Sequence, residues 1–200
     1  SNSEYVIGKT LGVLGVFVGM TLVFLVLTFV VNLVLTDTPV SIVTYFIYPL
    51  LISVPTLIFI LGFSYVLMLL IKNQAVTFLV LVGYVALTIF YFGAKFYGIF
   101  DYIGFFTPMA YSDMVGFGNL ELLLAHRLFY LFLGLAFIAA TINRFTRLPN
   151  TNSSKIYHFI LFLLLFVAGL GSGAWFFYKS DVVFDKREAF LTLNNTYAFH

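Results

Sequence analysis

The chain has 200 residues, 62% of them apolar and only 9% charged, with a net charge of +2. Soluble proteins carry about 45–50% apolar and about 25% charged residues. Ten basic and eight acidic side chains cannot cover a water-facing surface of 22.6 kDa at a mean hydropathy of +1.07, which excludes a soluble enzyme, a nucleic-acid-binding domain and a disordered tail and leaves an integral membrane protein. Cysteine is absent, so there is no disulfide framework, thiolate nucleophile or thiolate-ligated metal.

Lipid offers the backbone no hydrogen bonds, so a crossing element is a helix of about 20 residues or a strand of a closed barrel. The apolar runs here are continuous and lack the period-two alternation of barrel strands. The expected fold is therefore all-α: a polytopic membrane helix bundle of about five spans. The chain begins at Ser1 with no signal-peptide pattern, and we expect a processed chain or a segment of a longer one. Residues 1–10 form a polar lead-in. In it, Ser3 is placed to cap a helix starting at Glu4.

Residues 11–35 are uncharged and form the first span. Residues 40–71 are also uncharged but too long for one simple crossing. With Pro49 and Pro55 inside this run and Pro39 just before it, we expect an irregular or interfacial lead-in and then a helix over 50–71. Residues 75–94 form the third span. Residues 120–143 form the fourth, with His126 and Arg127 near its start. An additional helix lies within 150–178, its apolar part beginning at Ile156, and 179–200 form a charged, solvated tail. Residues 36–39 and 72–74 are tight turns, and 144–155 are polar and basic. Residues 95–119 are aromatic-rich and broken by Gly and Pro, too apolar for a free loop and too interrupted for a span. We expect an interfacial helix or a re-entrant hairpin there.

Alternating crossings put Lys9, Lys72, Arg144, Arg147 and Lys155 on one side with Glu4 as the acid. Seven acids and the other five basic residues fall on the opposite side. The short basic loops put the N-terminus in the cytoplasm and the tail outside.

Within the spans, every Asp and Glu lies at or beyond an end, which argues against an ion-coupled carrier. Asp101, Asp113, His126 and Arg127 are read as outer-interface residues. His126 and Arg127 either anchor there, pairing with Glu121 or Asp113, or contact a substrate. His158 is read as an interfacial, snorkelling side chain. Gly8, Gly12, Gly15 and Gly19 give two small-xxx-small spacings, and Gly169, Gly171 and Gly173 stud the last span. Gly12, Gly15, Gly19, Gly169 and Gly173 are read as helix-packing positions. No phosphate-binding loop, HExxH or GxSxG is present, and His126, His158 and His200 are too scattered for a metal site. No cofactor, catalytic group or metal ligand is expected.

Residues 1–12 read Ser-Asn-Ser-Glu-Tyr-Val-Ile-Gly-Lys-Thr-Leu-Gly. This Ser-x-Ser-Glu-Tyr-x-x-Gly-Lys-x-x-Gly run, leading straight into a long apolar helix, resembles the cytoplasmic loop before the third helix of type-2 ABC exporter permeases. Ser1, Glu4, Tyr5, Gly8, Lys9 and Gly12 stand in register, while Asn2 replaces the usual Arg. The turn after residues 67–72 is similar to that family's fourth-to-fifth helix turn, and residues 100–117 resemble its extracellular half-helices. The stretch from Phe105 through Arg127 and on to Pro149 is similar to a bacterial subgroup fused to a zinc aminopeptidase-like ectodomain. The resemblance covers about residues 1–149 and implies two absent N-terminal helices.

The resemblance implies an all-α exporter permease in a bacterial inner membrane. Its partners would be an ATP-binding cassette subunit, a second permease copy and lipid, with no nucleic acid. Ser3, Glu4, Tyr5, Gly8 and Lys9 would couple to the ATPase. The rival reading is a membrane anchor or scaffold for an outer domain or partner complex.

Overall fold

A computed structural model describes residues 2–35, 42–92, 95–105, 111–112, 116–145 and 155–198. It is an all-α bundle with five helices long and apolar enough to cross a membrane. The chain is an integral membrane protein by that measure, since nothing else could bury such lengths of apolar surface. The one β pairing among the described residues is short: β1 (Tyr111–Ser112) runs antiparallel to β2 (Gly116–Phe117).

Helix α1 (Asn2–Leu35) is continuous from the polar lead-in through the first span. It has already formed at Asn2, so Ser3 lies in its first turn instead of capping it. The second span is also more helical than its prolines suggested. Helix α2 (Ile42–Tyr48) passes through a π-helical turn at Pro49–Ser53 into α3 (Val54–Ile71). The wide turn accommodates both prolines without a break. The Val54 N–H reaches back five residues to the Pro49 carbonyl, which makes room for the Pro55 ring one position later.

Lys72 ends α3 in the left-handed region at φ 57°. The Asn73 carboxamide then accepts from the Ala75 and Val76 N–H groups at 3.0 and 3.3 Å, capping α4 (Gln74–Leu87). A second π turn at Thr88–Phe92 closes the third span. Asn119 caps α5 (Leu120–Arg144) in the same way. Helix α6 (Lys155–Ala198) runs for 44 residues. The segment 179–198, expected as a solvated tail, continues this helix, with exposed side chains at Asp181 and from Val183 to Ala189.

The core lies between α3, α5 and α6. Helices α3 and α5 cross at two glycines that the sequence reading did not single out. A Cβ on Gly134 would lie 2.6 Å from the Phe59 backbone, and one on Gly62 would lie 2.4 Å from the Gly134 carbonyl oxygen. Only glycine permits so close an approach. Phe59, Tyr102 and Tyr130 pack above this crossing, the Phe59 and Tyr130 rings 4.9 Å apart and edge-on. Gly173 and Gly169 do face α5, as expected: a Cβ on Gly173 would meet the Phe129 ring at 2.9 Å. Gly12, Gly15 and Gly19 face open space, so their packing role is not fulfilled within this chain. Helix α1 touches α3 and α5 through its first turns and α2 near its far end, where Asn32 Nδ2 donates to the Tyr45 hydroxyl at 3.1 Å and the Phe29 ring meets Tyr45 edge-on; its most apolar window contains no buried residue.

Candidate functional site

Two ends of the bundle carry the chemistry. At the end of the bundle that holds residues 95–105 the chain turns back into the protein. Phe96, Tyr97 and Gly98 all have positive φ, at 52°, 58° and 78°. For Phe96 and Tyr97 this backbone costs about 1–2 kcal/mol each, so the surroundings must hold it. The Gly98 N–H donates to the Lys95 carbonyl at 3.0 Å, and the Tyr97 hydroxyl donates to Asp181 Oδ1 of α6 at 2.9 Å. The Tyr97 ring meets Phe177 and Phe184 edge-on. The Asp181 hydrogen bond, with some burial, raises the Tyr97 hydroxyl pKa above 10.0.

The reversal sends Gly98–Tyr102 down beside α5. His126 and Tyr130 lie six and ten residues into that helix, about 9 and 15 Å along its axis at ~1.5 Å per residue. Irregular backbone at this depth must be buried in protein and hydrogen-bonded, and α5 supplies the donors. His126 Nε2 is 3.0 Å from the Gly98 carbonyl. Tyr130 donates its hydroxyl proton to the Ile99 carbonyl. Arg127 Nη1 donates to the Tyr102 carbonyl at 3.1 Å, and Nη2 to the Asp101 carbonyl at 3.4 Å. Thr56 of α3 donates to the same Tyr102 oxygen at 2.9 Å.

Arg127 Nη2 also lies 3.1 Å from His126 Nδ1. A guanidinium has only donors, so Nδ1 must accept and Nε2 must carry the proton to Gly98. His126 is thus a neutral imidazole fixed in one tautomer. Asp101, 0% exposed, accepts the Gly104 N–H at 2.9 Å and acts electrostatically on Arg127. His126 and Arg127 are 0% and 2% exposed. Arg127 Nε finds no partner among the described residues.

These positions correct part of the sequence reading. Asp101, His126 and Arg127 meet inside the protein, so Arg127 does not snorkel to the interface. It does not pair with Glu121, whose carboxylate lies 3.0 Å from Lys179 of α6. Asp113 lies outside the described residues. The re-entrant alternative for residues 95–119 matches the chain path over 95–105. Tyr130 and Thr56 escaped the sequence reading because a lone Tyr or Thr in an apolar helix carries no pattern. The available signal was the His126-Arg127 pair, which needs acceptors and has no acid on its own helix within one turn.

At the opposite end, which holds the N-terminal segment, the first three turns of α1 lie against α3 and α5. Val6 and Thr10 are buried there, at 4% and 6% exposure, while Glu4, Tyr5, Gly8 and Lys9 are on the outer surface. Ser3 is half-buried. The Tyr5 ring stacks on Phe145 at the end of α5, centroids 5.7 Å apart. Lys9 Nζ lies 5.9 Å from the centre of the Tyr65 ring of α3. Between these elements is an open cleft of about 110 Å³ lined by Tyr5, Val6, Lys9, Tyr65, Met68, Leu69, Thr141 and Phe145. Five residues expected to act together, 3 to 9, therefore share one helical segment fastened to two spans.

Among the described residues, no group of three or more His, Asp or Glu side chains is arranged to hold a metal ion. No family model, curated protein or solved structure matches the chain.

Proposed function

We propose that this chain is the transmembrane subunit of an ATP-driven ABC exporter, with its N-terminal segment contacting a separate ATPase subunit. The observation that supports it is the build of residues 3–10. Glu4, Tyr5, Gly8 and Lys9 face outward, while Val6 and Thr10 fasten the same turns to α3 and α5. A push on such a segment passes into two spans without a flexible joint. The acids also agree with energy supplied from outside the membrane. Each described carboxylate lies at or beyond a span end or in the re-entrant segment, where a proton- or sodium-coupled carrier would place one at mid-span. The N-terminus is then cytoplasmic, two permease copies frame the path for an amphiphilic or polymeric substrate, and this chain performs no bond chemistry.

The experiment is reconstitution with a candidate ATP-binding cassette subunit from the same organism. Association and stimulated ATP hydrolysis are expected, with stimulation lost in Glu4→Gln and Lys9→Gln. Absence of association overturns the reading.

One observation favours the scaffold alternative. Beyond Phe184, the last residue of α6 seen against the Tyr97 ring, the helix continues to Ala198, a further length of about 21 Å at ~1.5 Å per residue. A scaffold that holds an outer domain on this helix keeps its partner in place when Glu4 and Lys9 are replaced.

A further inference from the structure

The cleft beside the N-terminal segment has a composition that a soluble ligand does not explain. Its walls are almost wholly hydrocarbon and aromatic ring, and it lies between α1 and the ends of α3 and α5. Its threonine hydroxyl and the neighbouring one are already engaged. Thr141 Oγ1 donates to the Phe137 carbonyl at 2.9 Å, and Thr10 Oγ1, beside the cleft, donates to the Val6 carbonyl at 2.8 Å. Lys9 is the one cation in the lining, and exposed Arg144 immediately precedes the lining residue Phe145. Tyr5 and Tyr65 supply the rings with polar tips that favour a membrane–water boundary. This whole side carries five basic residues against Glu4 by sequence.

We propose that the cleft binds an anionic phospholipid of the adjoining leaflet. Its phosphate sits at the rim between Lys9 and Arg144, and the upper part of an acyl chain lies in the cleft over Met68 and Tyr65. A free phosphate gains nothing from apolar walls, and a zwitterionic lipid gains less from the two cations. A volume of about 110 Å³ holds a narrow chain and not a helix. The inference does not depend on ATP or on the exporter reading.

The test is lipid exchange followed by native mass spectrometry on the full chain in detergent. Phosphatidylglycerol and phosphatidylcholine with identical acyl chains are offered in equal amounts. Retention of phosphatidylglycerol is expected to exceed that of phosphatidylcholine by roughly thirtyfold, the value for two basic side chains near a charged surface. Lys9→Gln and Arg144→Gln should each lower the preference by roughly fivefold. Lys9→Arg should keep it, and Lys95→Gln at the opposite end should leave it unchanged. Both Gln variants alter exposed side chains, and circular dichroism checks that each remains helical. Inorganic phosphate and glycerophosphoglycerol, the deacylated headgroup, should not displace the lipid. Equal retention of the two lipids, an unchanged preference in Lys9→Gln, or displacement by inorganic phosphate overturns the proposal. Glu4→Gln should retain the lipid, so failure of ATPase coupling and failure of lipid binding are read by different variants.

Discussion

Helices α1 and α5 are both long and apolar enough to cross a membrane but differ in what they touch. Half of the most apolar window of α5 is buried inside the protein, and none of that of α1 is. Both carry glycines, yet Gly134 of α5 meets the Phe59 backbone while Gly12, Gly15 and Gly19 of α1 meet nothing within 4 Å. The same residue type is a structural necessity in one helix and an unused option in the other. Hydropathy tells a helix that it belongs in the membrane. It does not tell the helix which neighbour to choose, because lipid tails are as apolar as Leu. In α5 that choice is made by the close glycine crossing and by hydrogen bonds to the re-entrant segment.

The comparison breaks first at Arg127. Arg127→Met leaves Asp101 buried beside no positive charge and removes donors from the Asp101 and Tyr102 carbonyls. A loss of about 3–5 kcal/mol is expected. Arg127→Lys should recover only part of it, since one ammonium cannot reproduce a fork that serves two carbonyls and an imidazole. Unfolding of detergent-solubilised protein by a denaturing surfactant measures both; a Lys variant as stable as the parent would refute the fork. Next comes the glycine pair. Gly134→Ala should cost about 1–3 kcal/mol by overpacking against the Phe59 backbone, whereas Gly15→Ala should cost nothing, because its Cβ has open space. Equal losses at the two sites would mean that α1 is packed as α5 is. Tyr130→Phe should cost about 1–2 kcal/mol, the penalty for leaving the buried Ile99 carbonyl without its donor, with most of the effect read as faster hydrogen exchange across residues 98–102.

What could be seen in the sequence follows the same division. The five crossings, the turn at Lys72–Asn73 and the aromatic re-entry were legible, because each depends on runs of residue types: uninterrupted apolar stretches, a polar pair between them, and Gly and Pro breaking an aromatic segment. The partners of His126 and Arg127 were not legible. They are backbone carbonyls 25 to 28 residues away, and every residue has a carbonyl. The close glycine crossing was hidden for a related reason: regular spacing in α1 drew attention to Gly12, Gly15 and Gly19, while the crossing uses Gly62 and Gly134, one from each of two helices distant in sequence. The α6 extension was hidden because charges normally mark the end of a span, yet Lys, Glu and Arg are good helix formers once outside lipid.

Smaller effects test how firmly α1 is held. A double-mutant cycle of Tyr5→Leu and Phe145→Leu should return a coupling of about 0.5–1 kcal/mol for the stacked pair. A coupling of zero would mean that the lead-in is not fastened to α5, and the contrast between the helices would extend to the first turns of α1.

The smallest effect belongs to Tyr97, which ties the strained reversal to α6. Its hydroxyl pKa is raised above 10.0, first by its hydrogen bond to Asp181. The bond needs the phenolic proton, so the folded form holds that proton more tightly than the unfolded chain does. Its contribution is therefore complete below pH 10 and is lost as pH rises through the elevated value. Helices α5 and α6 are joined independently by Glu121–Lys179 and by Gly173 against Phe129, so only the local reversal should loosen. Comparing parent and Tyr97→Phe by hydrogen exchange at Gly98 and Ile99 reads this directly. The parent should be better protected at pH 8, and the gap should close in the alkaline range. A gap that persists above the tyrosine transition would show that the rings of Phe177 and Phe184 hold the turn without the hydroxyl.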